Sequence, residues 1–317
     1  MSCVANCSGT ETNVSNETSA ANSVNLELDQ ESVVILSVIC ALASFCGSFG
    51  NVLVILAVLK SPSLRGVSDL IISSLAFSDL TVCSIYLPLS IYRYNHFTSQ
   101  VMQQGSRLRI TRSFFGHCSL IASVTNMFAV TVDRVIAIRF PFKYLGIMTT
   151  NRAYIIIAIV WLISLTAGGL YAQEMFSKII LLGYCIVPML STISMYAYIF
   201  VIAKRQENKV QAMNTSTTQQ LKTDKKAAKT IFIVVGIYAL CWLPFLLLPA
   251  IVSPSKKPLL FKKLLPWVQV VLASNSALNP YVYCMRSHKY RRQFGKVLRI
   301  NLSEDLNNSN SASNGHQ

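Results

Sequence analysis

Residues 33–59 read VVILSVICALASFCGSFGNVLVILAVL, a run without a single charged side chain, and its reading decides the fold. At 1.5 Å of rise per residue, such a run is long enough as a helix to cross the ~30 Å hydrocarbon layer of a bilayer. A stretch this apolar is buried on all faces or meets lipid. Six comparable stretches follow, near residues 69–92, 113–135, 152–172, 178–203, 228–251 and 264–285, with polar breaks between them. The pattern predicts an all-α membrane protein, a seven-transmembrane helix bundle.

Composition points the same way. Hydrophobic residues make up 52% of the 317 positions and charged residues only 13%. That is about half the charged share of a soluble domain, too little to cover a water-facing surface. In a soluble protein a net charge of +15 would suggest nucleic acid as partner. Placement argues instead for a membrane. Nineteen of the 28 basic residues fall on one side of the alternating loops, including Lys60, Arg65, Arg134, Arg139, Lys143, Arg152 and the cluster from Lys204 to Lys229. The other nine fall on the opposite side. The positive-inside rule then sets the N-terminus outside a multi-pass plasma-membrane protein, with no nucleic acid required.

The flanking segments fit that orientation. Residues 1–32 carry no Lys or Arg and contain the sequons beginning at Asn6, Asn13 and Asn16, as expected of an extracellular glycosylated tail. The tail lacks the basic start and apolar core of a signal peptide. The seven-helix domain spans 33–286. Residues 287–299 read as a short amphipathic eighth helix, with Tyr290, Phe294, Val297 and Leu298 at helical spacing among Lys289, Arg291, Arg292 and Lys296. Such a helix lies along the membrane surface, where lipid head groups are its partners. Residues 300–317 form a polar, disordered cytoplasmic tail. No cysteine pair has metal spacing, and four scattered histidines do not assemble a zinc site.

Polar residues inside apolar helices are costly and mark function. In chain order they are Asn51; Asp79; Asp133-Arg134-Val135; Trp161; Pro188 with Tyr196; Cys241-Trp242-Leu243-Pro244; and Asn279-Pro280-Tyr281-Val282-Tyr283. Taken together, over about residues 33–299, this series resembles the rhodopsin-like (class A) G-protein-coupled receptors. The resemblance implies a receptor that transduces an extracellular ligand to a heterotrimeric G protein, with receptor kinase and arrestin as later partners. It implies no enzyme activity and no organic cofactor.

It also implies roles for particular residues. Asp79 with Ser123, Asn275, Ser276 and Asn279 would hold a sodium ion as allosteric modulator. Arg134 would be the activation switch, paired at rest with Asp133 and with Asp224 at the foot of the sixth helix. Trp242, Pro244, Asn279, Pro280, Tyr283 and Tyr196 would complete that switch, with Pro188, Val124 and Tyr238 as packing partners. Phe142, after Pro141, resembles the apolar plug that meets the G protein; the alternative is a loop residue dipping into lipid. Thr215 to Thr218 and the serines of the last tail offer phosphorylation sites.

For the ligand, the positions that would carry an opsin's lysine or an aminergic receptor's aspartate are Ala273 and Gly116. The cysteine that usually ties the third helix to the second outer loop is replaced by Arg109, and only 27 positions separate Trp161 from Pro188. These departures resemble the melanocortin, lysophospholipid, cannabinoid and adenosine-type group. Adenosine-type recognition residues are absent at Ala273 and Pro249, and melanocortin-type acids are absent at Leu89, Arg109 and Ser113. Arg112 occupies the lysophospholipid head-group position. With Arg109, Phe115, Gly116, Phe245 and Leu246, it predicts a pocket for an anionic lipid or other acidic small molecule, since Arg grips acids through a bidentate fork. The alternatives are a peptide or other ligand, with the outer basic residues paired to the acidic tail or reaching lipid head groups. A transporter or channel is the remaining class, but its internal repeats are not seen.

Overall fold

The computed structural model describes residues 28–96, 107–175, 178–212 and 236–299. Among the described residues, seven helices form a bundle: α1 Gln30–Lys60, α2 Val67–Asn95, α3 Arg107–Arg139, α4 Thr150–Ala172, α5 Lys178–Ala212, α6 Gly236–Ile251 and α7 Pro258–Arg286. A shorter helix, α8 His288–Leu298, follows. α1 to α4 are each long and apolar enough to cross a membrane, and Gly183–Ile199 and Gly236–Ile251 are shorter apolar helical segments. Large apolar side chains such as Leu42, Phe45, Leu162 and Leu240 stand exposed on the outside of the bundle. Asn51, Asp79, Asn126 and Asp133 are buried inside it. This inverted polarity suits a lipid solvent.

α1 begins at Gln30, ahead of the expected boundary at 33, because Asp29 caps it. The Asp29 carboxylate accepts from the Ser32 amide at 3.1 Å and from its hydroxyl at 2.8 Å. α2 widens into a π-helical turn at Val82–Tyr86 just before Pro88. Proline has no N–H to continue the ladder, so the backbone opens at this point. The Cys83 carbonyl in that turn accepts from Ser44 Oγ of α1 at 2.6 Å.

α3 sits against α2, α4 and α5. Its approach to α4 depends on Gly168: a Cβ there would lie 2.8 Å from the Cys118 Cβ. α4 ends in a Schellman turn. The Met175 amide donates to the Leu170 carbonyl and the Glu174 amide to the Tyr171 carbonyl, both at 3.0 Å. Glu174 takes the left-handed position usually given to glycine, with φ 60°. Its carboxylate meets Arg109 Nη1 of α3 at 2.5 Å. An ion pair thus stands at Arg109, the position where the sequence lacks the cysteine of the usual disulfide.

α8 turns apolar residues toward the bundle: Tyr290 and Phe294 are buried in one cluster with Leu53, Val54, Ala57 and Val58 of α1. Tyr290 Oη also donates to Asp69 Oδ1 of α2 at 3.1 Å. Basic residues on its other sides remain half-buried or exposed. The turn from α7 is capped by Ser287, which accepts from the Tyr290 amide at 3.4 Å.

Candidate functional site

Three polar features run down the bundle axis. The first is an outer cavity of about 120 Å³ between α2, α3, α6 and α7. Arg112, Gly116 and Phe245 line it, as the sequence predicts. Arg112 Nε donates to Ser90 Oγ at 3.2 Å and Nη2 to Tyr86 Oη at 3.1 Å. No carboxylate among the described residues pairs with it.

The other three expected pocket residues do not line the cavity. Arg109 turns instead to Glu174. Phe115 packs edge-on against Phe114, centroids 5.3 Å apart. Leu246 packs into the core cluster that contains Trp242. Helical rotation explains Phe115, which lies off the stripe of Arg112 and Gly116; Arg109 shares that stripe one turn or more farther out, where Glu174 holds it.

Sequence reading missed Tyr86, His117 and Gln269, which also line the cavity. The place of Tyr86 depends on the π-helical turn, which rotates its side chain relative to an ideal helix. Gly116 was the available signal: a Cβ there would lie 2.7 Å from the Tyr86 ring. His117 Nδ1 is 2.7 Å from the Ser113 carbonyl, an acceptor, so this nitrogen carries the hydrogen. The ring lies against Tyr171, centroids 3.7 Å apart.

The second feature is a buried cluster at the cavity floor. Asn275, Ser276, Ser123 and Trp242 line that floor. Asp79, with no exposure, accepts from Asn279 Nδ2 at 2.7 Å and from Ser123 Oγ at 3.4 Å, and Ser276 faces the same carboxylate. Asn51 Nδ2 donates to the Gly47 and Ser276 carbonyls at 2.9 and 3.0 Å, joining α1 to α7. One carboxylate with the neutral hydroxyls of Ser123 and Ser276 beside it fits a monovalent hard cation. Among the described residues, no group of three or more His, Cys, Asp or Glu suits a more highly charged metal.

The third feature is an inner cavity of about 1000 Å³, lined by Arg134, Tyr196, Tyr283, Met127 and Tyr144 among others. Here the structure departs from expectation. Arg134 makes no ion pair with Asp133. Ser68 Oγ and Tyr144 Oη, the latter at 2.7 Å, each donate to one oxygen of the Asp133 carboxylate. Both oxygens are therefore occupied, and Arg134 is exposed. Burial, then the bond to Asp133, pushes the Tyr144 hydroxyl above its ordinary pKa, which keeps it a donor. Asp224 lies outside the described residues, as do Asn6, Asn13, Asn16 and the tail serines.

Between the two cavities, Trp242 and Tyr238 are buried with ring centroids 5.5 Å apart, in a cluster with Val124, Met127 and Leu75. Tyr283 packs against this cluster and against the inner one that holds Tyr290. Pro188 and Pro280 lie inside α5 and α7, and Pro244 inside α6. Phe142 is fully exposed beyond the inner end of α3.

With this arrangement in place, comparison with known proteins is direct. Residues 50–178 and 169–283 match the model of the 7 transmembrane receptor (rhodopsin family). The chain belongs to that family. Adenosine receptor A2b of Gallus gallus is 26% identical over 313 residues, covering 84% of this chain and 87% of the relative. Melanocortin receptor 5 of Mus musculus is 26% identical over 268 residues, covering 78% and 79%. Melanocortin receptor 4 of Danio rerio is 27% identical over 265 residues, covering 78% of each. The class A resemblance is thus borne out, and adenosine and melanocortin receptors, two of the four groups that the sequence resembles, are among the relatives. The protein is a multi-pass membrane receptor of the G-protein-coupled class and not an enzyme.

Proposed function

We propose that the receptor senses a small acidic molecule in its outer cavity and relays binding to a heterotrimeric G protein at its inner end. The observation that carries this reading is Arg112, a guanidinium lining the cavity with no carboxylate beside it among the described residues. A cation kept in a largely apolar pocket is costly unless an anion neutralises it. The cavity volume of about 120 Å³ favours a small acid over a whole acyl lipid.

Below the ligand, Asp79 with Ser123, Asn275, Ser276 and Asn279 holds a sodium ion that stabilises the unliganded arrangement. The N-terminal tail lies outside the cell and carries glycans. At the inner end, Arg134 and Phe142 meet the G protein: one is an exposed cation in a wide cavity, the other a fully exposed aromatic side chain. Relay between the ends runs through Trp242, Tyr238 and Tyr283, which share packing. Arrestin and receptor kinase act on the same inner face and tail.

Nucleotide exchange on a panel of G proteins tests the reading. Wild-type receptor, Arg112→Ala and Arg134→Ala are compared with anionic lysolipids and short organic acids. Stimulation by an acid that Arg112→Ala loses supports the assignment. Exchange that needs Arg134 but that no anionic probe changes overturns the ligand and keeps the receptor.

A further inference from the structure

The acid-binding end of the outer cavity is built by two helices, and its construction narrows what fits. A guanidinium has two forked edges, one formed by Nε with Nη2 and one by Nη1 with Nη2. In Arg112 the first edge is already taken by Ser90 and Tyr86. Ser90 is itself fixed, because its hydroxyl donates to the Tyr86 carbonyl at 2.8 Å. The second edge remains for a ligand. Tyr86 Oη accepts from Arg112, so its own proton is not used in that bond and can be donated to the same ligand.

Two features hold Tyr86 in this place. The π-helical turn at Val82–Tyr86 ends on it, and Gly116 provides its seat, since a Cβ at Gly116 would come within 2.7 Å of the ring. Farther along the cavity, Gln269 Oε1 and Trp242 Nε1 are buried and lack hydrogen-bond partners among the described residues. A plain alkyl tail would leave both unpaired. A hydroxyl, which donates and accepts, suits either. The cavity of about 120 Å³ is small beside the ~300–1,000 Å³ of pockets for drug-sized ligands, so a short ligand suits it.

We propose that Tyr86 and Arg112 act as one clamp for a planar carboxylate, and that the ligand is a short carboxylic acid with a hydroxyl at its other end. The proposal rests on the outer cavity being the site of a small acid. Tyr86 is then a ligand-contacting, specificity-determining residue, and Gly116 a positioning residue that acts through it. An arginine fork pairs with phosphate as well as with carboxylate, so a phosphate ester is the probe that tests the preference for a carboxylate.

Thermal stabilisation of the purified full chain measures this directly, without a choice of G protein. The probes are butyrate, 4-hydroxybutyrate and butyl phosphate. The proteins are wild type, Arg112→Ala, Tyr86→Phe, Gly116→Ala and Gln269→Leu. In wild type, 4-hydroxybutyrate should act at about tenfold lower concentration than butyrate, and butyl phosphate should be the weakest. Tyr86→Phe and Gly116→Ala should each raise the required concentration about tenfold, with Gln269→Leu removing only the advantage of the hydroxyl. Tyr86→Phe keeps a ring on Gly116 and decides the matter if Gly116→Ala fails to fold. Acids that bind through Arg112 but ignore both Tyr86→Phe and the hydroxyl would overturn the clamp and leave the acid site standing. If no probe binds, or Arg112→Ala binds unchanged, the acid site and the clamp fall together.

Discussion

The outer and inner cavities of this receptor are opposites in size and in how their polar groups are treated. The outer one measures about 120 Å³, and Gln269 and Trp242 have buried polar atoms beside it without partners among the described residues. The inner one opens to about 1000 Å³; behind its lining residues Ser68 and Tyr144 the buried Asp133 has both carboxylate oxygens bonded, while Arg134 stands exposed. Unpaired atoms in a small cavity favour one ligand that completes them. A wide cavity with an exposed cation and a fully exposed Phe142 nearby suits a macromolecular partner, for which area matters more than any single bond. On the proposed function the two ends differ in kind: one discriminates, the other docks.

The largest expected effect would break this contrast at its inner side. Arg134→Ala should cut stimulated nucleotide exchange about a hundredfold, the worth of one strong or two ordinary charge-assisted bonds, while ligand stabilisation at the outer cavity persists. Loss of ligand binding in the same variant would mean that the two ends are not separable. Phe142→Ala should reduce exchange about tenfold without lowering the melting temperature, because the side chain makes no packed contact to lose. A fall in thermal stability would return Phe142 to a structural role.

Gly168→Ala offers a control that should weaken both ends alike. Overpacking against Cys118 should cost about 1–3 kcal/mol of stability, read as a lower melting temperature. An effect on one function alone would show that the α3–α4 contact is not a shared support. Tyr144→Phe frees one Asp133 oxygen to attract Arg134 and should lower ligand-free exchange about fivefold. An unchanged rate would mean that Asp133 does not restrain the arginine.

The smallest effect belongs to the outer tether. Glu174→Gln should shift ligand affinity by about threefold or less, because the pair is partly exposed. The shift should disappear at high ionic strength. Persistence at molar salt would assign the role to the turn backbone and not to the charge.

Much of the site was legible because intramembrane polar groups are rare enough to be counted one by one. Asp79, Ser123, Ser276 and Asn279 do meet. Trp242 does stand at the cavity floor, and Arg112 does face the cavity. What was not legible depended on direction. Phe115 lies on the wrong stripe of its helix, while Arg109 is drawn to Glu174 and Leu246 into the core cluster of Trp242. The expected Arg134–Asp133 pair failed for a related reason: Ser68 and Tyr144 come from other parts of the chain, and no local spacing announces them.

By itself the sequence determined the membrane class, the number and order of the helices, and the polar residues they carry. Each of these follows from hydropathy summed along a segment, which is additive and local. The tertiary structure alone decided that Tyr86 lies on Gly116 and reaches Arg112, that α8 folds back onto α1, and that Asp133 bonds away from Arg134. Those outcomes depend on a π-helical turn and on contacts between helices distant in the chain. Their energies arise only when two surfaces meet, and no single segment contains them.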